Sequence, residues 1–103
     1  ATCYTKPETS IELMDKALLE LYTNFYKHDP IIVVQEDLPQ SKAVWGSDRA
    51  VVSVRYDSRT GHIVAFATID NMGKGAAGQA VQNFNVMHGL EETLGLMLGG
   101  IWP

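Results

Sequence analysis

Two periodicities alternate along this chain, and the switches between them lay out its elements. Residues 1–5 are short and mixed and read as a first strand. From Thr9 the period becomes helical. Thr9-x-x-Glu12 is a capping box, in which Thr9 accepts from an early helix amide and Glu12 reaches back to the Thr9 amide. Ile11, Met14, Leu18, Leu21, Tyr22 and Phe25 then return at helical spacing on one face, and Glu12 and Lys16 form an i, i+4 pair on the other. Lys27 and His28 suit the negative end of the helix dipole, and Pro30 stops the helix. Ile31-Ile32-Val33-Val34 is a β-branched strand, residues 35–42 are a loop containing Pro39, and Ala43-Val44-Trp45 reads as a further short strand.

Period two returns over residues 49–56, with Ala50, Val52, Val54 and Tyr56 on one face and Val51, Ser53 and Arg55 on the other, a half-buried strand. Residues 57–61 have turn chemistry, and Gly61 supplies the positive φ of a hairpin loop. Residues 62–69 are apolar on both faces and predict a central strand covered on both sides. A second helix over about residues 76–88 aligns Ala77, Ala80, Val81, Phe84 and Met87 in one stripe and ends at Gly89. The pattern predicts one α+β domain over residues 1–103: an antiparallel or mixed sheet of about four to five strands with two helices packed on it.

The stretch from Ile69 to Asn83 organises the rest. Gly73, Gly75 and Gly78 have no Cβ, and Ala76, Ala77 and Ala80 have little more, so backbone there can approach either an anion or flat ring, or simply the protein's own sheet. Gly73-x-Gly75-x-x-Gly78 matches the dinucleotide fingerprint in form. Too little chain follows the helix for the second parallel strand and acidic residue that a Rossmann unit needs, and Lys74 precedes Gly75 where a P-loop requires Ser or Thr.

Composition narrows the classes. With 103 residues and 46% hydrophobic content, the chain can build a single modest core. A net charge of -4 with scattered Lys and Arg argues against nucleic acid, and no apolar run is long enough for a membrane helix. A lone Cys3 makes no internal disulfide and fits a reducing, cytoplasmic compartment. It lacks a neighbouring His in sequence to lower its pKa, so it reads as structural or incidental. His28, His62 and His88 share no ligand spacing and predict no metal site. Glu91 and Glu92 read as solvated, and Trp45 beside Gly46-Ser47-Asp48 as either core or pocket wall. No nucleophile and base pair stands out, so no catalytic residue is assigned.

The run Ile69-Asp70-Asn71, then Lys74 through Asn85, then Gly89-Leu90-Glu91-Glu92-Thr93-Leu94-Gly95-Leu96, resembles the C-terminal end of the N-acetyl-gamma-glutamyl-phosphate reductases, members of the semialdehyde dehydrogenase family. Upstream pieces follow in order: Ala1-Thr2-Cys3-Tyr4, Pro30-Ile31-Ile32, Leu38-Pro39, Lys42-Ala43-Val44 and Gly46-Ser47. Departures are Gly73 where Val is common, Asp48 where Asn is usual, and His88 where an apolar residue is common.

The resemblance implies a C-terminal catalytic and dimerisation domain, about the last third of an NADPH-dependent enzyme that reduces an acyl phosphate to a semialdehyde in arginine biosynthesis. The Rossmann domain, the nucleophilic Cys in a Gly-Cys-Tyr-Pro-Thr context and its His would lie upstream. Cys3 mimics that context only in part, with Thr2 and Thr5 where Gly and Pro stand. The resemblance further implies that Lys74, Gly75, Gly78, Gln79 and Asn83 face cofactor or substrate, NADP being held by the missing domain. Alone, the chain is expected to be inactive and to self-associate through its sheet and the apolar segment 96–102. The alternative is a stand-alone oligomerisation or regulatory module of the same fold without chemistry.

Overall fold

Strand β3 (Ala50–Asp57) and strand β4 (His62–Ile69) form the hairpin on which the rest is built, paired in register from Ala50 opposite Ile69 to Asp57 opposite His62. The computed structural model describes residues 1–8 and 15–101; the Thr9 to Glu12 capping box, Ile11, Met14 and Trp102 lie outside them. The hairpin closes as the turn residues predict. Asp57 accepts from the Arg59 amide at 3.0 Å and the Thr60 hydroxyl at 2.7 Å, and Gly61 takes φ 70°.

Strand β1 (Thr2–Thr5) adds antiparallel to β4, and strand β2 (Ile32–Val34) adds parallel to β3, giving a mixed four-stranded sheet in the order β1-β4-β3-β2. The helix linking the two edge strands is described over Asp15–Phe25 (α1) and lies against β3 and β2. At the edge of β3 beyond the end of β2, Asp15 of α1 accepts from the Tyr56 amide at 2.7 Å and faces the Arg55 guanidinium at 3.6 Å. The carboxylate thus satisfies an edge amide that no strand reaches. Leu18, Ile31, Val44, Val52, Val54 and Val64 are buried and make the core.

Three expectations change in detail. Residues 43–45 are not a strand: Ser41–Val44 forms a 3-10 turn, with Ala43 and Trp45 amides bonded to the carbonyls of Gln40 and Lys42. So short an apolar run, with only Val44 buried, satisfies its backbone locally instead of in a ladder. Strand β3 is more buried than its alternation suggests. Ser53, on the face that reads as the more polar one, is fully enclosed. Strand β4 is interior as predicted, yet Ile63, Ala65 and Phe66 remain partly open, since α1 covers the β3 and β2 side.

The chain leaves β4 through a π turn (Gly73–Ala77) into the second helix, α2 (Gly78–Met87). Gly89 closes it at φ 65°. The α+β class holds, but α2 does not lie on the sheet by its apolar stripe. Ala77, Ala80, Val81, Phe84 and Met87 all face outward, while Gly78 and Asn85 are the buried positions. The last segment returns to the body, with Ile101 donating to the Trp45 carbonyl at 3.0 Å and its side chain lying over Gly46.

Candidate functional site

The junction between β4 and α2 is held by carboxylates. Asp70 ends β4 and turns its side chain onto three amides: Met72 at 2.7 Å, Gly73 at 2.9 Å and, from the turn after the 3-10 segment, Gly46 at 2.7 Å. Those bonds hold its carboxyl below the usual carboxylate range, Gly46 contributing most, then Gly73 and Met72. An Asp between a strand and a Gly-rich helix start is an N-cap signal that the sequence carried and that periodicity alone does not read. Asp48 forms the second clamp. Its amide donates to the Met97 carbonyl at 2.6 Å, and its carboxylate accepts from the Met97 amide at 2.8 Å.

The glycines serve these clamps. A Cβ on Gly78 would run into the Asp48 carboxylate, and one on Gly73 would lie 2.6 Å from the Ser47 carbonyl. Gly78 therefore makes its close approach to Asp48 within this chain. The Gly75 amide donates to the Asp70 carbonyl at 2.8 Å, while the residue itself stays exposed. With Asp70 bound to the amides of Met72 and Gly73, the first two donors of this helix start are already met by an anion of the chain's own.

The other predicted residues do come together. Lys74 Nζ donates to Gln79 Oε1 at 2.6 Å and to Gln82 Oε1, and Gln79 Nε2 donates to Asn83 Oδ1 at 3.0 Å. Gln82 Nε2 continues the chain to Glu92 Oε1 at 2.6 Å. Partial burial pushes the Lys74 ammonium down from its ordinary value, against the opposing pull of Glu92 and Asp48. Gln82 and Glu92 are members that the sequence reading missed; Glu92 is tied into this network and not simply solvated. Asn85, buried beneath it, donates to the carbonyls of Glu92 at 3.1 Å and Leu94 at 2.9 Å. The ammonium and the primary amides around it form one connected set of donors and acceptors along this side of α2.

Beside the junction opens a groove of about 880 Å³, walled by Trp45, Gly46, Ile69, Asp70, Met72 and Gly73 among others. Trp45 is thus a groove wall and not core. Cys3 is exposed on edge strand β1. His88 stacks on Phe84 with ring centroids 4.1 Å apart on the outer face of α2. Among the described residues no group of three His, Cys, Asp or Glu gathers as a metal site, and no helix is long and apolar enough to cross a membrane.

Comparison with known proteins gives the family. The description "semialdehyde dehydrogenase, dimerisation domain" matches residues 1–71. Over 106 aligned residues the chain is 44% identical to the N-acetyl-gamma-glutamyl-phosphate reductase of Desulforudis audaxviator, covering 100% of this chain and 30% of the relative. The enzyme of the same name from Thermus thermophilus is 47% identical over 88 residues, covering 85% of this chain and 26% of the relative. That of a Geobacillus species is 43% identical over 105 residues, covering 100% and 30%. The chain therefore spans about 30% of the length of the curated relatives it matches.

Proposed function

The chain belongs to the semialdehyde dehydrogenase family through its dimerisation domain, and on that premise we propose that it is the C-terminal portion of an NADPH-dependent N-acetyl-gamma-glutamyl-phosphate reductase. That enzyme reduces an acyl phosphate to a semialdehyde in arginine biosynthesis, in the cytoplasm. The observation that carries the reading is similarity across the whole chain, α2 and its network included, to enzymes of that name.

In this reading the bound cofactor supplies hydride and is held by the part of the polypeptide outside this chain, which also supplies the nucleophile. Lys74, Gln79 and Asn83, with the exposed backbone at Gly75, present the polar edge facing the cofactor's nicotinamide end, and Gly78 sets how closely that edge sits on the Asp48 turn. The outward apolar stripe of α2 supports a division of the surface. The stripe meets the rest of the same polypeptide, and the sheet-bearing segment 1–71 meets a second copy. Assaying NADPH consumption with the acyl phosphate tests the proposal: the full-length polypeptide turns over and the 103-residue chain does not. Turnover by the 103-residue chain alone, or none by the full-length polypeptide, overturns it.

A second reading, an oligomerisation or regulatory module without chemistry, is favoured by one observation: the family match is to a dimerisation unit that ends before the Lys74 network. It predicts an upstream reading frame that encodes no nucleotide-binding domain.

A further inference from the structure

We propose that Asp70 is a positioning residue: by joining the Gly46 turn to the helix start, it holds the π turn in the register that brings Lys74 onto Gln79 and Gln82. The inference deepens the cofactor-side reading of that surface and rests on it.

An ordinary helix cap binds amides of its own helix, as Asp70 does with Met72 and Gly73. Its second oxygen does something else, accepting from Gly46, twenty-four residues away, at 2.7 Å. One side chain thereby ties together two walls of the groove. The backbone of the same segment makes the wide turn: Gly75 donates to the Asp70 carbonyl at 2.8 Å and Ala77 to the Met72 carbonyl at 3.1 Å, each spanning five residues.

Register follows from that extra residue. In an uninterrupted α-helix, position 74 neighbours 77, 78 and 81, here Ala, Gly and Val. A π turn inserts one residue and moves those neighbours on by one, to positions that include Gln79 and Gln82, where Lys74 is in fact bonded. Without the wide turn the ammonium would point at an apolar stripe. Gly73 and Gly78 leave room for the turn against Ser47 and Asp48, and Asp70 fixes its first amides.

The test separates the cross-loop bond from the cap. Asp70→Asn keeps one carbonyl oxygen for the helix start and presents an amide group to Gly46; Asp70→Ser caps but is too short to reach Gly46, and serves if the first variant folds poorly. In the 103-residue chain, followed by NMR, each variant should speed amide exchange at Gly46 roughly tenfold. Each should also make the Lys74 ammonium protons exchange faster, while Leu18 and Val54 stay protected. In the full-length reductase, Asp70→Asn should raise KM for NADPH about tenfold with kcat within about twofold. Lys74→Met should raise KM similarly, and the double variant should be no worse than the more damaging single one. Additive effects, or a Lys74 ammonium unchanged by both Asp70 variants, would overturn the proposal. An unsubstituted full-length polypeptide that consumes no NADPH would sink the reductase reading instead, and the NMR measurement would still decide the role of Asp70.

Discussion

The β3–β4 hairpin and the α2 junction are held by opposite means. The hairpin buries apolar side chains, Val52, Val54 and Val64, in an eight-residue antiparallel ladder. At the junction, Asp70 and Asp48 grip backbone amides, buried Asn85 ties α2 to the segment after it, Lys74, Gln79 and Gln82 stay half-buried, and the apolar stripe of α2 faces out. Burial of area is non-directional and tolerant, while a clamp of a few hydrogen bonds fixes one geometry and fails when one member goes. The difference is that α2 is held by its polar contacts and not by its apolar stripe.

Substitutions break the comparison in descending order. Leu18→Ala, beneath the hairpin at 2% exposure, should cost about 3 kcal/mol in chemical denaturation and lower the stability of the whole domain. Gly78→Ala drives a methyl into the Asp48 carboxylate and should cost about 2 kcal/mol, with chemical-shift changes concentrated at residues 46–48 and 72–79. Gly61→Ala meets open space but a φ of 70°, so strain alone should cost about 1 kcal/mol by the same measurement. Phe84→Ser, on the outer face of α2, should change the stability of this chain by no more than about 0.5 kcal/mol.

Acid sharpens the contrast. Asp70, held by backbone amides, and Asp57, held first by the Thr60 hydroxyl, both have folded pKa values below their unfolded ones. Their contributions are complete above the unfolded carboxylate value of about 3.9 and are lost as pH falls through the depressed folded values. Asp57→Asn removes the hairpin's share, leaving amide exchange at Gly46 to report the junction's loss in acid. Lys74 acts at the alkaline end. Its folded pKa is depressed, so stability should rise with pH from that depressed value towards the unfolded 10.5, a slope that Lys74→Met abolishes.

Where apolar burial or turn chemistry decides the structure, the sequence was readable. The alternation of 49–56, the turn at 57–61 and the positive φ of Gly61 and Gly89 each act through neighbours in sequence or through a two-residue period. Residues 43–45 misled because three apolar residues fit a strand and a 3-10 turn equally well, and the choice rests on whether a ladder partner is in reach. The stripe of α2 is legible as a pattern, yet it lies on the outer side. Periodicity names an apolar face but not its occupant, and here the occupant is not this sheet. Lys74, Gln79 and Asn83, gathered by resemblance, do meet, whereas Gln82 joins them through the register shift of the π turn and Glu92 from the segment after the helix, neither of which helical spacing reads.

Amide hydrogen exchange across α2, measured on the 103-residue chain and on the longer reductase polypeptide proposed above, tests most directly whether that outward face is built to be covered. Residues 78–87 should exchange quickly in the first, at a rate independent of protein concentration, and far more slowly in the second. Equal rates in the two would contradict the account.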